Sequence, residues 1–166
     1  MPATAIFNIH LGLGYLPWLL CFGAYAWPRL KRMNPLEAQR LIATLHSFRF
    51  FGLVFILPGV VGPNLPPRFA QFAAYGDFAT GLLAIAALLT IRIPTLFRAL
   101  VVGFNLVGAA DILIDYYHGV QFDVPARAGE LGATYAIVII YVPLLMITHV
   151  AAFRLLLRPT GETMRA

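Results

Sequence analysis

Asp111, Asp115 and His118 stand at i, i+4 and i+7 in the run DILIDYYH, so on a helix all three share one face, and Gly108 extends that stripe by a turn. An ionisable group at bilayer depth costs about 2.5–3.5 kcal/mol on insertion scales, so each one in an apolar run requires a partner or a function. The chain has more of them. His46 and Arg49 share a helical face in an upstream apolar segment, Asp77 stands in the next, His149 in the last, and Asn105 adds a neutral polar group. Tyr135, Val142 and His149 recur at intervals of seven.

Three chemistries are compatible with these types and spacings. Two histidines at matching depth on different helices are what a b-type haem needs for bis-histidine ligation. His46 and His149 fit that description, with Arg49 for a propionate, Tyr135 on the stripe of His149, and Phe48, Phe50, Phe51 and Tyr141 to fill the pocket. Asp115 and His118 have the carboxylate-x-x-His spacing of di-iron bundles, but those sites use two such motifs and further glutamates. A metal here would need Glu130 and His10 to complete it. Finally, Asp77 and Asp111, one kept protonated by apolar surroundings and one held ionised by Arg49, form an acid–base pair. Such a pair could act on a sterol-, isoprenoid- or quinone-like molecule, or serve a transporter as a proton relay.

The elements that must position these residues follow from composition. The chain has 166 residues, 60% hydrophobic and 11% charged, with a mean hydropathy of +0.80, whereas soluble domains carry about 25% charged residues. Apolar windows of about 20 residues, enough to cross a bilayer, fall at roughly 5–27, 41–62, 70–91, 97–117 and 131–153. No segment alternates apolar and polar residues as a membrane β-strand must. The fold class expected is all-α, a single transmembrane domain over residues 1–166 with five membrane-spanning helices.

Nine basic residues, Arg29, Lys31, Arg32, Arg40, Arg92, Arg98, Arg154, Arg158 and Arg165, fall at one end of these windows, against Arg68 and Arg127 at the other. This bias places the N-terminus outside and the C-terminus in the cytoplasm, in a membrane such as the bacterial inner membrane. The net charge of +5 then serves the lipid surface. Nucleic acid is not an expected partner, because no continuous basic patch forms.

The helical rise of about 1.5 Å per residue serves as a depth gauge from the basic end. It puts Asp77 at ~22 Å, Asp111 at ~20 Å and the long Arg49 side chain rooted at ~14 Å, near enough to meet at the midplane. His46 and His149 share a second level closer to the basic end, while Asp115, His118 and His10 belong to the opposite one. Pro17, Pro58 and Pro143 fall inside the windows, where a missing N–H kinks a helix and frees carbonyls.

Several functions are excluded. The only lysine, Lys31, lies in a loop, so no retinal Schiff base can form, and no GxxxxGK[ST] loop for nucleotide phosphates occurs. Cys21 is the single cysteine, which rules out an internal disulfide. The first window lacks the basic start and small-residue cleavage site of a secretory signal and is expected to remain in the mature protein. HLGLGYLPWLL with YAWPRL resembles the first helix of a protoporphyrinogen oxidase family of small membrane proteins. That family's later histidine-and-lysine pattern is missing here, so the resemblance transfers no role to any residue.

The expectation is therefore a membrane protein binding a cofactor or hydrophobic small molecule at an intramembrane polar site, most concretely a haem b protein of electron transfer. The alternatives are a non-catalytic subunit of a larger membrane complex or homo-oligomer, and a small enzyme or transporter for a lipid, isoprenoid or quinone-like molecule.

Overall fold

The computed structural model describes residues 1–158, and helices are the only regular structure among them; Arg165 lies outside the described residues. Helix α1 runs over Ala3–Arg32, α3 over Pro67–Leu89, α4 over Pro94–Gln121 and α5 over Ile137–Leu156, and these four are long and apolar enough to cross a membrane. The window at 41–62 is not one continuous helix. It is formed by α2, Pro35–Ser47, followed by a 3-10 helix over Phe48–Ile56.

Local sequence explains the helix starts. Pro35, Pro67 and Pro94 each occupy the first helical position, where a proline's fixed φ helps and its missing N–H costs nothing. At α2 the Asn34 side chain also accepts from the Leu36 N–H at 2.9 Å.

The 3-10 helix decides which side chains of this segment turn inward. Three residues per turn eclipse side chains at i and i+3, and its buried residues are Arg49, Gly52 and Phe55 at that spacing. Phe48, Phe50 and Phe51 are left on the outside. Pro58 does not kink this element. It follows the helix end at Leu57, whose backbone is already extended, and leads into a turn at Gly59 with φ +82°.

Small residues let the elements approach. On α3 a Cβ at Gly81 would meet the Phe50 backbone nitrogen at 2.7 Å, so the 3-10 helix lies directly on α3. The core is divided into two apolar clusters. One gathers Ile42, Ala84, Phe97, Val101, Phe104 and Leu155 at the end carrying the basic loops. The other gathers Phe7, Phe55, Phe69, Val124, Leu131 and Ile137 at the opposite, loop end. A 3-10 stretch over Val124–Thr134 closes that loop end. Gly62 N–H donates to the Glu130 carbonyl at 2.7 Å, Asn64 N–H donates to Glu130 Oε2 at 2.9 Å, and Gly132, at φ +52°, sits against the Val60 carbonyl.

Candidate functional site

Between the two apolar clusters lies a layer of buried polar side chains centred on Arg49, which is 1% exposed. The 3-10 stripe turns its guanidinium inward between α3, α4 and α5. Nε donates to Asp77 Oδ1 at 2.6 Å, Nη2 to Asp111 Oδ2 at 2.5 Å, and Nη1 to the Gly108 carbonyl and His149 Nε2 at 3.2 Å each. Four of the five N–H groups of the fork are thereby engaged. These are the two ion pairs found among the described residues. One arginine holds both aspartates, not one or the other.

Glycines make the space. A Cβ at Gly108 would come within 2.5 Å of Arg49 Nη1 and 2.6 Å of His149 Nε2, while at Gly76 it would overlap the Asp111 carboxylate and at Gly52 that of Asp77. Gly52 and Gly76 are site residues that spacing rules did not single out. The only sequence signal was their place beside apolar faces, Gly76 next to Asp77 and Gly52 one 3-10 turn from Arg49.

The directions of the network are fixed by its chemistry. A guanidinium only donates, so His149 Nε2 accepts, its proton is on Nδ1, and Nδ1–H donates to Asn105 Oδ1 at 2.9 Å. Asn105 Nδ2 donates in turn to the Val101 carbonyl at 2.8 Å. The Thr148 hydroxyl spends its proton on the Leu144 and Leu145 carbonyls, so it accepts from His46 Nε2–H at 3.0 Å. His46 Nδ1 is buried without a partner. The His149 imidazole is neutral in this arrangement.

His46 and His149 meet at the level closer to the basic end, but as directly touching rings tilted by 36° with centroids 4.0 Å apart. An iron ligated by both rings needs centroids on the order of 6 Å apart, with the macrocycle between them. The residues as placed do not fit a bis-histidine haem. Phe48, Phe50, Phe51 and Tyr141 do not surround the histidines; with Leu45 and Ile140 they line an apolar surface groove of about 450 Å³. Tyr135 is also absent from this level. It hydrogen-bonds His10 Nδ1 at 2.8 Å near the loop end, and the π-helical turn Ile137–Tyr141 breaks the seven-residue alignment with His149.

Asp115 and His118 lie one and two turns beyond Asp111 on α4, toward the loop end. Neither His10, bound to Tyr135, nor Glu130, bound to Asn64, joins them. No group of three metal-ligating side chains forms among the described residues. Asp115 Oδ1 and His118 Nδ1 are buried without partners, and the His118 ring stands edge-on to Phe72 at 4.9 Å.

On the loop side of Arg49 a cavity of about 150 Å³ opens among α1, α3, α4 and α5. Its walls are mostly apolar, including Phe7, Leu11, Ala73 and Val138, but Asp77, Asp115 and Tyr116 also line it. The depth gauge thus brought the central trio together, while the cavity joins Asp77 to Asp115, a pairing that no spacing rule linked.

A domain family described as a domain of unknown function, DUF8737, matches residues 6–157. The chain belongs to that family. The match takes in every residue of the polar layer and the cavity. No curated protein and no solved structure matches the chain.

Proposed function

We propose that this chain is an integral membrane protein of five crossings that binds a small hydrophobic molecule, its positively charged or hydrogen-bond-donating head seated against Asp115 and Asp77. The observation that carries this reading is the cavity: an apolar chamber next to the polar layer, with two carboxylates on its wall and one of them holding a buried unpartnered oxygen. Charge counting supports it. Asp77, Asp111 and Asp115 share one nearby cation, the Arg49 guanidinium, which pairs with the first two, so neutrality calls for two further positive charges, supplied by protons or by a cationic head together with a proton. At about 150 Å³ the chamber accepts a head group and not a whole lipid, against about 300–1,000 Å³ for sites that enclose drug-sized ligands.

The fifth crossing would be α2 with the 3-10 helix, which together reach at most about 37 Å at their respective rises, beyond the ~30 Å of a hydrocarbon core. The nine-to-two bias of basic residues supports a cytoplasmic basic end.

The directed hydrogen bonds favour binding, or acid–base work at the cavity, over proton transport. A proton travelling from the carboxylates to the basic end would have to pass Arg49, which does not release one, or enter His149 Nε2, which already faces a guanidinium N–H. An assembly subunit that used its charges to meet other chains would carry them on its outer surface, and here they are buried.

The test uses Gly119, which lines the cavity and whose added Cβ would meet no atom within 4 Å. Gly119→Leu fills the chamber from a permissive position. Organic extracts of the purified wild type should contain a non-phospholipid molecule, detected by mass spectrometry, that is depleted at least tenfold in Gly119→Leu and in Asp115→Asn. Indistinguishable extracts would sink the reading.

A further inference from the structure

We infer that the cavity opens sideways into the bilayer, through the seam between α1 and α4, with the Tyr15–Tyr116 hydrogen bond as its latch, so that its occupant is an amphiphile delivered from the lipid phase. This rests on reading the cavity as a binding site, and it adds the route and therefore the source of the ligand.

Three ways into the chamber can be compared. Toward the basic end stand the Arg49 network and an apolar cluster. Toward the loop end, residues 57–66 and the stretch Val124–Thr134 are laced together through Glu130, Asn64 and Gly132. The third wall is α1, whose Phe7, Asn8 and Leu11 face the chamber beside Asp115, Tyr116 and Gly119 of α4.

α1 is held unevenly. On the α5 side it is docked through the backbone. Pro143 has no N–H to offer the Ile139 carbonyl, and Gly14 lies so close over that carbonyl that a Cβ would overlap it. The adjoining Ile140 carbonyl accepts from Trp18 Nε1–H at 2.9 Å. The backbones of α1 and α4, by contrast, do not pack closely. The polar link across that gap is Tyr15 Oη to Tyr116 Oη at 2.6 Å. The most apolar window of α1 is only 6% buried, against 39–44% in the other long helices, so most of its surface is left to the bilayer. The other side-chain links of α1, His10 to Tyr135 and Trp18 to the Ile140 carbonyl, run to α5 and the turn before it, so rolling α1 about that docked side breaks the tyrosine bond and exposes Asp115 to the acyl-chain region, where a head group could enter with its tail still in lipid.

The experiment needs no identified ligand. In a Cys21→Ala background, Ala73→Cys places a thiol on the cavity wall, with Val138→Cys as an independent second site. In nanodiscs, where both faces are accessible, N-phenylmaleimide dissolved in the bilayer should label either thiol at least ten times faster than a charged, membrane-impermeant thiosulfonate. Tyr15→Phe or Tyr116→Phe should speed the maleimide reaction about two- to tenfold, the range expected for losing one hydrogen bond. Labelling by the impermeant reagent at an equal or greater rate, no labelling at either position, or no response to the tyrosine changes would overturn the portal. Because labelling reads access alone, its failure is distinguishable from that of the binding reading, which the extract comparison decides.

Discussion

Replacing Arg49 by leucine removes the one cation from a layer that holds two carboxylates at hydrogen-bond distance. Asp77 and Asp111 are 7% and 4% exposed, so neither can turn to water when the guanidinium goes. Breaking a buried pair by deleting one partner costs about 3–5 kcal/mol, chiefly for the charge left behind. In a domain of this size each kcal/mol moves the midpoint by about 2–4 °C, so the detergent-solubilised protein should melt about 6–20 °C lower. Arg98→Ala, which removes an exposed basic residue on the second turn of α4, should shift the midpoint by less than 2 °C, in line with the roughly 0.5 kcal/mol ceiling for ordinary surface changes. Lysine should rescue Arg49 poorly, because a single ammonium cannot reproduce a fork that reaches Asp77, Asp111, Gly108 and His149 from separate nitrogens. Adding Asp77→Asn and Asp111→Asn to Arg49→Leu should recover much of the loss, since the stranded charges are gone. The measurement is a melting series on the four variants, followed by intrinsic fluorescence. If Arg49→Leu melts with the wild type, the layer is solvated and the reasoning fails.

Gly76→Ala and Gly108→Ala should each lower stability by about 1–3 kcal/mol through overpacking on the ion cluster, whereas Gly12→Ala and Gly23→Ala, whose Cβ atoms would meet nothing, should be neutral or stabilising. Purified protein is expected to be colourless; a low-spin haem spectrum lost in His46→Ala or His149→Ala would show that the touching rings part to bind iron. A reporter fused after Ala166 should read as cytoplasmic and one before Met1 as external, and a same-side result would remove α2 with its 3-10 extension as a fifth crossing.

The meeting of Arg49, Asp77 and Asp111 was legible because α3 and α4 are regular helices, and a fixed rise per residue turns sequence distance into depth. The same gauge misjudged positions where the helix changes type. FRFFGLVFI scores as part of a continuous apolar span, and only the spacing of Arg49, Gly52 and Phe55 by threes hints at the 3-10 turn that eclipses them. The heptad from Tyr135 to His149 failed for a related reason: the π turn before Pro143 inserts an extra residue and rotates the two side chains off a common face. Gly52, Gly76 and Gly108 could not be ranked above Gly12 or Gly23 until the opposing side chains were known, because a missing Cβ carries information only through what occupies its place.

The third carboxylate separates a working site from a structural pin. An ion pair that served only to fix helix register would be complete with Arg49 and one aspartate, and a second could be tolerated on the other arm of the fork. Asp115 has no such place. It lies a turn away from Asp111, lines the cavity, and leaves Oδ1 buried without a partner, as Asp111 also does, but it lacks the guanidinium that Asp111 holds on its other oxygen. Groups that burden stability in this way are characteristic of sites kept for function. Asp115→Asn should therefore leave the melting midpoint unchanged or raise it, while depleting the bound molecule from purified protein. Asp111→Asn should lower the midpoint, because Arg49 Nη2 loses its charged acceptor. The two variants differ by a single turn of α4, so the comparison holds helix, depth and chemistry nearly constant. Equal destabilisation by both would return Asp115 to the structural network and leave the cavity without its anchoring group.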